Sequence, residues 1–233
     1  MTASGREQLL AAACELEARN AAIARGIDEV DALQRETDAL RSRAGAVDEF
    51  LERLPRLREE TQATIRDAES RLEERRTALE EAERRLREAE RARKEEPLEA
   101  ARRALARAQG AVGLAEKNLA RAREHLAQLE REAEDASLEA RALHREADHL
   151  AERLRRVPRI SKQASDPPRD PAALVAWGGD ARAALFVVRG SLDAERDAVI
   201  REANELATNL LGETVAATNV SLVRTRIEAA LAP

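Results

Sequence analysis

Three histidines, a single cysteine and a paired glycine are the residues whose types and spacing could support chemistry in this chain. His144 and Asp148 stand four apart, on one face of any helix that carries them, and His149 follows. That is half of a zinc site, which needs a third and usually a fourth ligand; no such residue lies nearby, and the phase of the surrounding pattern turns both histidines outward. His125 is isolated. Cys14 has no companion base to activate it, and a lone cysteine excludes an intrachain disulfide. Gly178-Gly179 lacks the preceding strand that a phosphate-cradling turn requires, and no Walker-type sequence occurs. The sequence therefore predicts no catalytic residue, no metal and no cofactor, and an enzyme is not expected.

Recognition by charge or by an apolar anchor is what remains. Residues 100–123 hold Arg102, Arg103, Arg107, Lys117, Arg121 and Arg123 against one acid, Glu116. Residues 153–162 hold Arg153, Arg155, Arg156, Arg159 and Lys162 with no acid at all. The second cluster could bind phosphate groups of a lipid or a nucleic acid, or be neutralised from within by Asp28, Glu29 and Asp31. Trp177 is either a core residue or an exposed anchor for a partner. Together, Arg153, Arg155, Arg156, Arg159, Lys162 and Trp177 are the candidate interaction residues.

The elements that must position them are written in a seven-residue repeat. Leu9, Leu16, Ile23, Val30, Thr37, Ala44, Leu51, Arg58, Ile65, Leu72, Leu79 and Leu86 are spaced by seven. Leu33, Leu40, Val47, Leu54, Thr61, Ala68, Arg75, Ala82 and Ala89 form a second comb beside the first. After Pro97 both combs restart and run to Leu154 and Val157. Apolar a and d positions sustained this long specify supercoiled helices, and Pro97 suits a first helical turn. The expected fold is all-α: a long antiparallel coiled-coil hairpin over residues 30–157 that turns near 93–97.

If facing residue numbers total 187, the layers pair Leu86 with Ala101, Ala82 with Leu105, Leu79 with Ala108, Leu72 with Ala115 and Ala68 with Leu119. They continue with Ile65–Ala122, Leu54–Ala133, Leu51–Ala136, Val47–Ala140, Ala44–Leu143 and Leu40–Ala147. Nearly every large side chain meets an alanine, which close packing rewards. A total of 194 would oppose leucine to leucine or isoleucine and is disfavoured. Flanking charges, Glu90 near Arg102, Arg76 near Glu116 and Glu69 near Arg123, are compatible with this register but fit more than one offset. Arg58 and Arg75 fall at core positions, where their stems can pack while their charged ends reach water. At 1.5 Å per residue the paired arms correspond to a rod of roughly 95 Å. Pro55 predicts a kink or short interruption in the first arm.

Residues 158–171 are rich in Pro and Ser and read as a linker. Beyond it a short helix from Pro171 to Trp177 is expected to end at Gly178-Gly179. Asp180 would then cap a helix running to about 211, stopped by Gly212. A last helix carries Val220, Val223, Ile227 and Leu231, capped by Thr218 or Asn219. Residues 1–29 expose an apolar stripe with no partner in the hairpin, so they are expected to pack with residues 172–233 as a helical head. Trp177, Leu185, Phe186, Val188, Leu206 and Leu210 would be its core.

Composition narrows the function classes. Of 233 residues, 36% are charged, 1% are aromatic, and the net charge is −5, which gives no general attraction to nucleic acid or to an anionic membrane. The longest strongly apolar run, 183–188, is too short to span a bilayer, and a reducing cytoplasmic compartment is expected. Three lysines against 37 arginines suggest a GC-rich, bacterial genome. In architecture alone the hairpin resembles the arms of structural-maintenance-of-chromosomes proteins and the hairpin of phage-shock-protein A. The chain departs from the first in having no ATPase motif, and from the second in its Pro-rich break and in having no amphipathic N-terminal membrane helix. The expected function is a non-enzymatic structural or scaffold protein, a spacer between a tip and a head that each meet a protein partner or another copy. The alternatives are a peripheral membrane-remodelling or polymer-forming protein, and an accessory protein of a chromosome or nucleic-acid complex.

Overall fold

A computed structural model describes residues 3–92, 95–157, 160 and 165–231. Every regular element among them is a helix: α1, Ala3–Ala92; α2, Glu95–Arg156; α3, Pro171–Leu211; and α4, Val220–Leu231. The contacts between helices fit a hairpin. Chain contacts divide into two units, residues 46–140 and residues 1–45 with 141–233.

In the 46–140 unit, the alternating heptad positions turn inward. Leu54, Leu129 and Ala133 are buried in one cluster, with Phe50, Leu51 and Leu57 packed against it. Leu72, Ala82 and Leu119 are buried as well. Thr61 occupies a buried heptad position and satisfies its hydroxyl by donating to the Leu57 carbonyl at 2.8 Å, the usual solution for a threonine inside a helix. Charged pairs flank the apolar seam: Arg58–Glu130 at 2.6 Å, Arg123–Glu69 at 2.8 Å and Arg76–Glu116 at 3.6 Å. The last two are pairs compatible with the expected register, and they fit other offsets as well. Arg58 is a half-buried side chain that grips Glu130 with two donors, whereas Arg75 is exposed. The helix runs through Pro55 without interruption. The missing amide leaves the Leu51 carbonyl without its usual donor, and Pro55 itself is exposed.

In the other unit, residues from both chain ends share one core. Ala13 and Leu16 of α1 are buried with Val199, Ala203 and Ala207 of α3, with Val215, and with Val220, Val223, Ile227 and Leu231 of α4. Leu9, Leu10, Ile23, Leu206 and Leu210 pack around them. Gly212 ends α3 at φ 71°, where only a residue without Cβ is unstrained, and its amide returns to the Thr208 carbonyl at 3.0 Å. The connection to α4 is held by Asn204, whose side chain bonds both the amide and the carbonyl of Ala217 at 2.9 Å. The Asn219 side chain accepts from the Ser221 amide at 2.8 Å and so caps α4. Arg224 pairs with Glu17 and, at 2.7 Å, with Glu228. The Arg224 hydrogen bond, helped by Ser221, holds the Glu17 carboxyl below its ordinary range.

Three expectations are corrected here. The paired glycines do not end a helix: α3 is continuous from Pro171 to Leu211. Gly178 is buried, and an added Cβ there would lie 3.4 Å from Arg41 Cβ and 3.9 Å from Thr37 Cγ2. Those are ordinary van der Waals distances, and the helix continues through the pair because the roughly 1 kcal/mol that each glycine costs there is outweighed by the burial of Leu174, Trp177, Leu185 and Val188. The cap is consequently not Asp180 but Asp170, whose carboxylate accepts from the Ala173 amide at 3.0 Å, with Pro171 following. Phe186 is not in the core; it is 74% exposed. A fourth difference concerns hydropathy. With alanine and glycine counted, α3 contains an 18-residue stretch of mean hydropathy 1.2, enough by length and composition alone to cross a bilayer.

Candidate functional site

The interaction candidates lie where α2 ends and the chain leads into α3. Arg153, Arg155 and Arg156 occupy the last turn of α2, where cations complement the helix dipole, while Glu95 and Glu96 occupy its first turn. Arg153 pairs with Glu36. That bond, with Glu29 adding at longer range, raises the guanidinium's affinity for its proton. Internal neutralisation of Arg153 thus comes mainly from Glu36, a residue the sequence reading did not name. Asp31, which it did name, is taken by Arg189 at 2.8 Å. Arg155 reaches Asp166, so the nominally acid-free cluster is partly neutralised by its own downstream chain. Arg156 is exposed. Arg159 and Lys162 lie outside the described residues.

Trp177 is not an exposed anchor. It is 7% exposed, and its indole N–H donates to the Ser165 carbonyl at 3.1 Å. With Leu154, Ile160, Asp180, Ala181 and Ala184 it lines a cavity of about 150 Å³. The segment read as a plain linker is therefore docked where it is described: Ile160 and Pro167 are buried, and His144 Nδ1–H donates to the Pro168 carbonyl at 3.2 Å. His144 is half-buried, with its other nitrogen 3.6 Å from Asp148. Its orientation is set by this tie, and the outward, solvated reading is corrected. Among the described residues no group of three or more His, Cys, Asp or Glu could hold a metal ion. Cys14 is exposed.

The basic stretch in 100–123 lies along α2. Arg103 pairs with Glu99 at 2.9 Å and Arg123 with Glu69, which is what a solvated helix face shows. The surface that sequence reasoning missed is elsewhere. Phe186 and Val187, 74% and 71% exposed, border an open groove of about 500 Å³. Gln34, Asp38 and Arg41 of α1 and Gly179, Arg182 and Ala183 of α3 complete its walls. Arg182 bonds Asp38 across it at 3.1 Å. An exposed Phe-Val pair over a groove marks a place for an apolar partner. The only sequence signal for it was a run of apolar residues longer than one buried helix face can absorb. Comparison with family models, with curated proteins and with solved structures finds no match for this chain.

Proposed function

We propose that this chain is a non-enzymatic, cytoplasmic scaffold: an antiparallel coiled-coil hairpin serving as a spacer, with a helical head built from residues 1–29 and 172–233. The observation that carries the reading is the order of the cross-helix pairs. In the 46–140 unit, positions 58, 69 and 76 of α1 meet 130, 123 and 116 of α2; in the other unit, 36 and 43 meet 153 and 146. Within each unit one number rises as the other falls, as in two helices of opposite direction. All 22 residues of the large-against-alanine layers are buried or half-buried. Such a body offers rigidity and two ends rather than a pocket of convergent polar groups. Its partners are proteins or further copies of itself, met at the head or the tip.

A second reading, a peripheral membrane-remodelling protein, draws support from the apolar stretch of α3. Binding flat on a membrane needs buried apolar area together with a basic face. Arg153 and Arg155 are already paired with acids, so the scaffold reading expects no cosedimentation with anionic liposomes at physiological salt. Strong pelleting, abolished by neutralising Arg155, Arg156 and Arg159, would overturn it in favour of the membrane reading.

A further inference from the structure

Trp177 stands beside a space that the chain does not fill. The cavity that it lines with Leu154 and Ile160 has a volume of about 150 Å³. Protein interiors pack closely and leave few voids larger than a water molecule, and an unfilled space costs stability in proportion to its volume. On α3 the room is left by two alanines, Ala181 and Ala184, in the wall next to Trp177; a leucine at either position would occupy much of it. Leu154, Ile160 and Trp177 are buried and form the floor, while Ser165 and Asp180 are exposed and mark the mouth. Water suits this floor badly. A buried water needs two to four polar partners, and the indole N–H is already given to the Ser165 carbonyl. Apolar cavities of about this volume stay dry and take up molecules the size of benzene.

We propose that this cavity binds a small aromatic amine, its ring held inside against Trp177 and its ammonium group at the mouth beside Asp180. The walls set the body of the ligand: they are apolar and include an indole, against which a second ring packs favourably. Charge sets its head. Among the described residues Asp180 is the one charged side chain that lines the cavity, and none of them pairs with it as a cation. Arg155, the neighbour of Leu154, is engaged by Asp166. The mouth therefore presents a carboxylate and a serine hydroxyl, which favour a cation and repel an anion. A ligand seated there touches α2 through Leu154, α3 through Trp177, Ala181 and Ala184, and the connection between the helices through Ile160 and Ser165. It stabilises that docked arrangement by mass action. The proposal goes beyond the spacer role and is independent of it, because every wall belongs to one unit of the chain.

Trp177 is the only tryptophan and the chain has no tyrosine, so its emission reports on the site directly. Titrating the full chain with benzylamine should shift that emission saturably, with a Kd of about a millimolar or tighter, and should raise the melting temperature. Benzyl alcohol, of the same shape without the charge, should bind about two- to fivefold more weakly, as expected for losing one exposed ion pair, and benzoate more weakly still. Asp180→Asn should bring benzylamine down to the level of benzyl alcohol and leave benzyl alcohol unchanged. Ala184→Leu should fill the cavity and abolish the response to all three probes while the melting temperature holds or rises; Ala181→Leu serves the same purpose if the first variant does not fold. An emission that answers to none of the probes overturns the proposal. So does a response that survives in the filled variants, which would place the probes elsewhere on the chain. Benzoate bound as tightly as benzylamine, or benzylamine binding indifferent to Asp180→Asn, overturns the assignment of an amine.

Discussion

Removal of residues 1–29 is expected to abolish the cooperative unfolding of the C-terminal helices. Ala13 and Leu16 are buried against Val199, Ala203 and Ala207 of α3 and against Val220, Val223 and Ile227 of α4, with Leu9, Leu10 and Ile23 alongside. Fully burying a leucine-sized side chain contributes about 1.5–3 kcal/mol. Losing one side of this core removes an amount comparable with the 5–15 kcal/mol by which a typical domain is stable. The ion pair from Glu17 to Arg224 is lost as well. α4 spans only Val220–Leu231, too short to persist without packing. Hydrogen exchange should show α4 and the last turns of α3 unprotected in the truncated chain. A cooperative, monomeric melt of isolated 171–233 would show that this core does not need the N-terminal helix.

The second large effect separates two aromatic residues nine positions apart. Trp177→Ala should destabilise the chain by about 3–5 kcal/mol, the usual cost of emptying a buried aromatic site, and it leaves the Ser165 carbonyl without its donor. Phe186→Ala should change stability by less than about 0.5 kcal/mol, as substitutions of exposed side chains do. Chemical denaturation with both variants decides this. Equal losses of stability would mean that Phe186 is covered within the chain.

The contrast shows what could be read from the sequence. The inward positions were legible because the apolar period of a helix is local. Leu54, Leu72, Ala82, Leu119 and Ala133 therefore turn inward as the pattern requires. Gly212 as a stop and Asn219 as a cap were legible for the same reason, since each acts within one turn. Gly178-Gly179 was misread as a break because the cost of glycine in a helix is local, whereas the burial of Leu174, Trp177, Leu185 and Val188 that outweighs it comes from tertiary packing. Phe186 was assigned to the core because periodicity identifies an apolar face but not what covers it. α3 is apolar on more than one face, and only Leu174, Trp177, Leu185 and Val188 in its first half take the large buried positions. The candidate site was least legible. Neutralisation of Arg153 and Arg155 comes from Glu36 and Asp166, and those partners follow from how the chain returns on itself rather than from any motif.

Cysteine pairing measures directly whether α1 and α2 run in opposite directions in a single register. In a Cys14→Ser chain, Leu72→Cys with Ala115→Cys should crosslink rapidly within one chain under mild oxidation, and Leu72→Cys with Ala122→Cys slowly. Both sites of the first pair lie in the 46–140 unit, Leu72 buried and Ala115 half-buried. The ratio of the two rates, read as intrachain product on a nonreducing gel, should strongly favour the first pair. The reverse preference would place the turn at Pro97 and contradict the register, and crosslinks only between chains would contradict the hairpin itself.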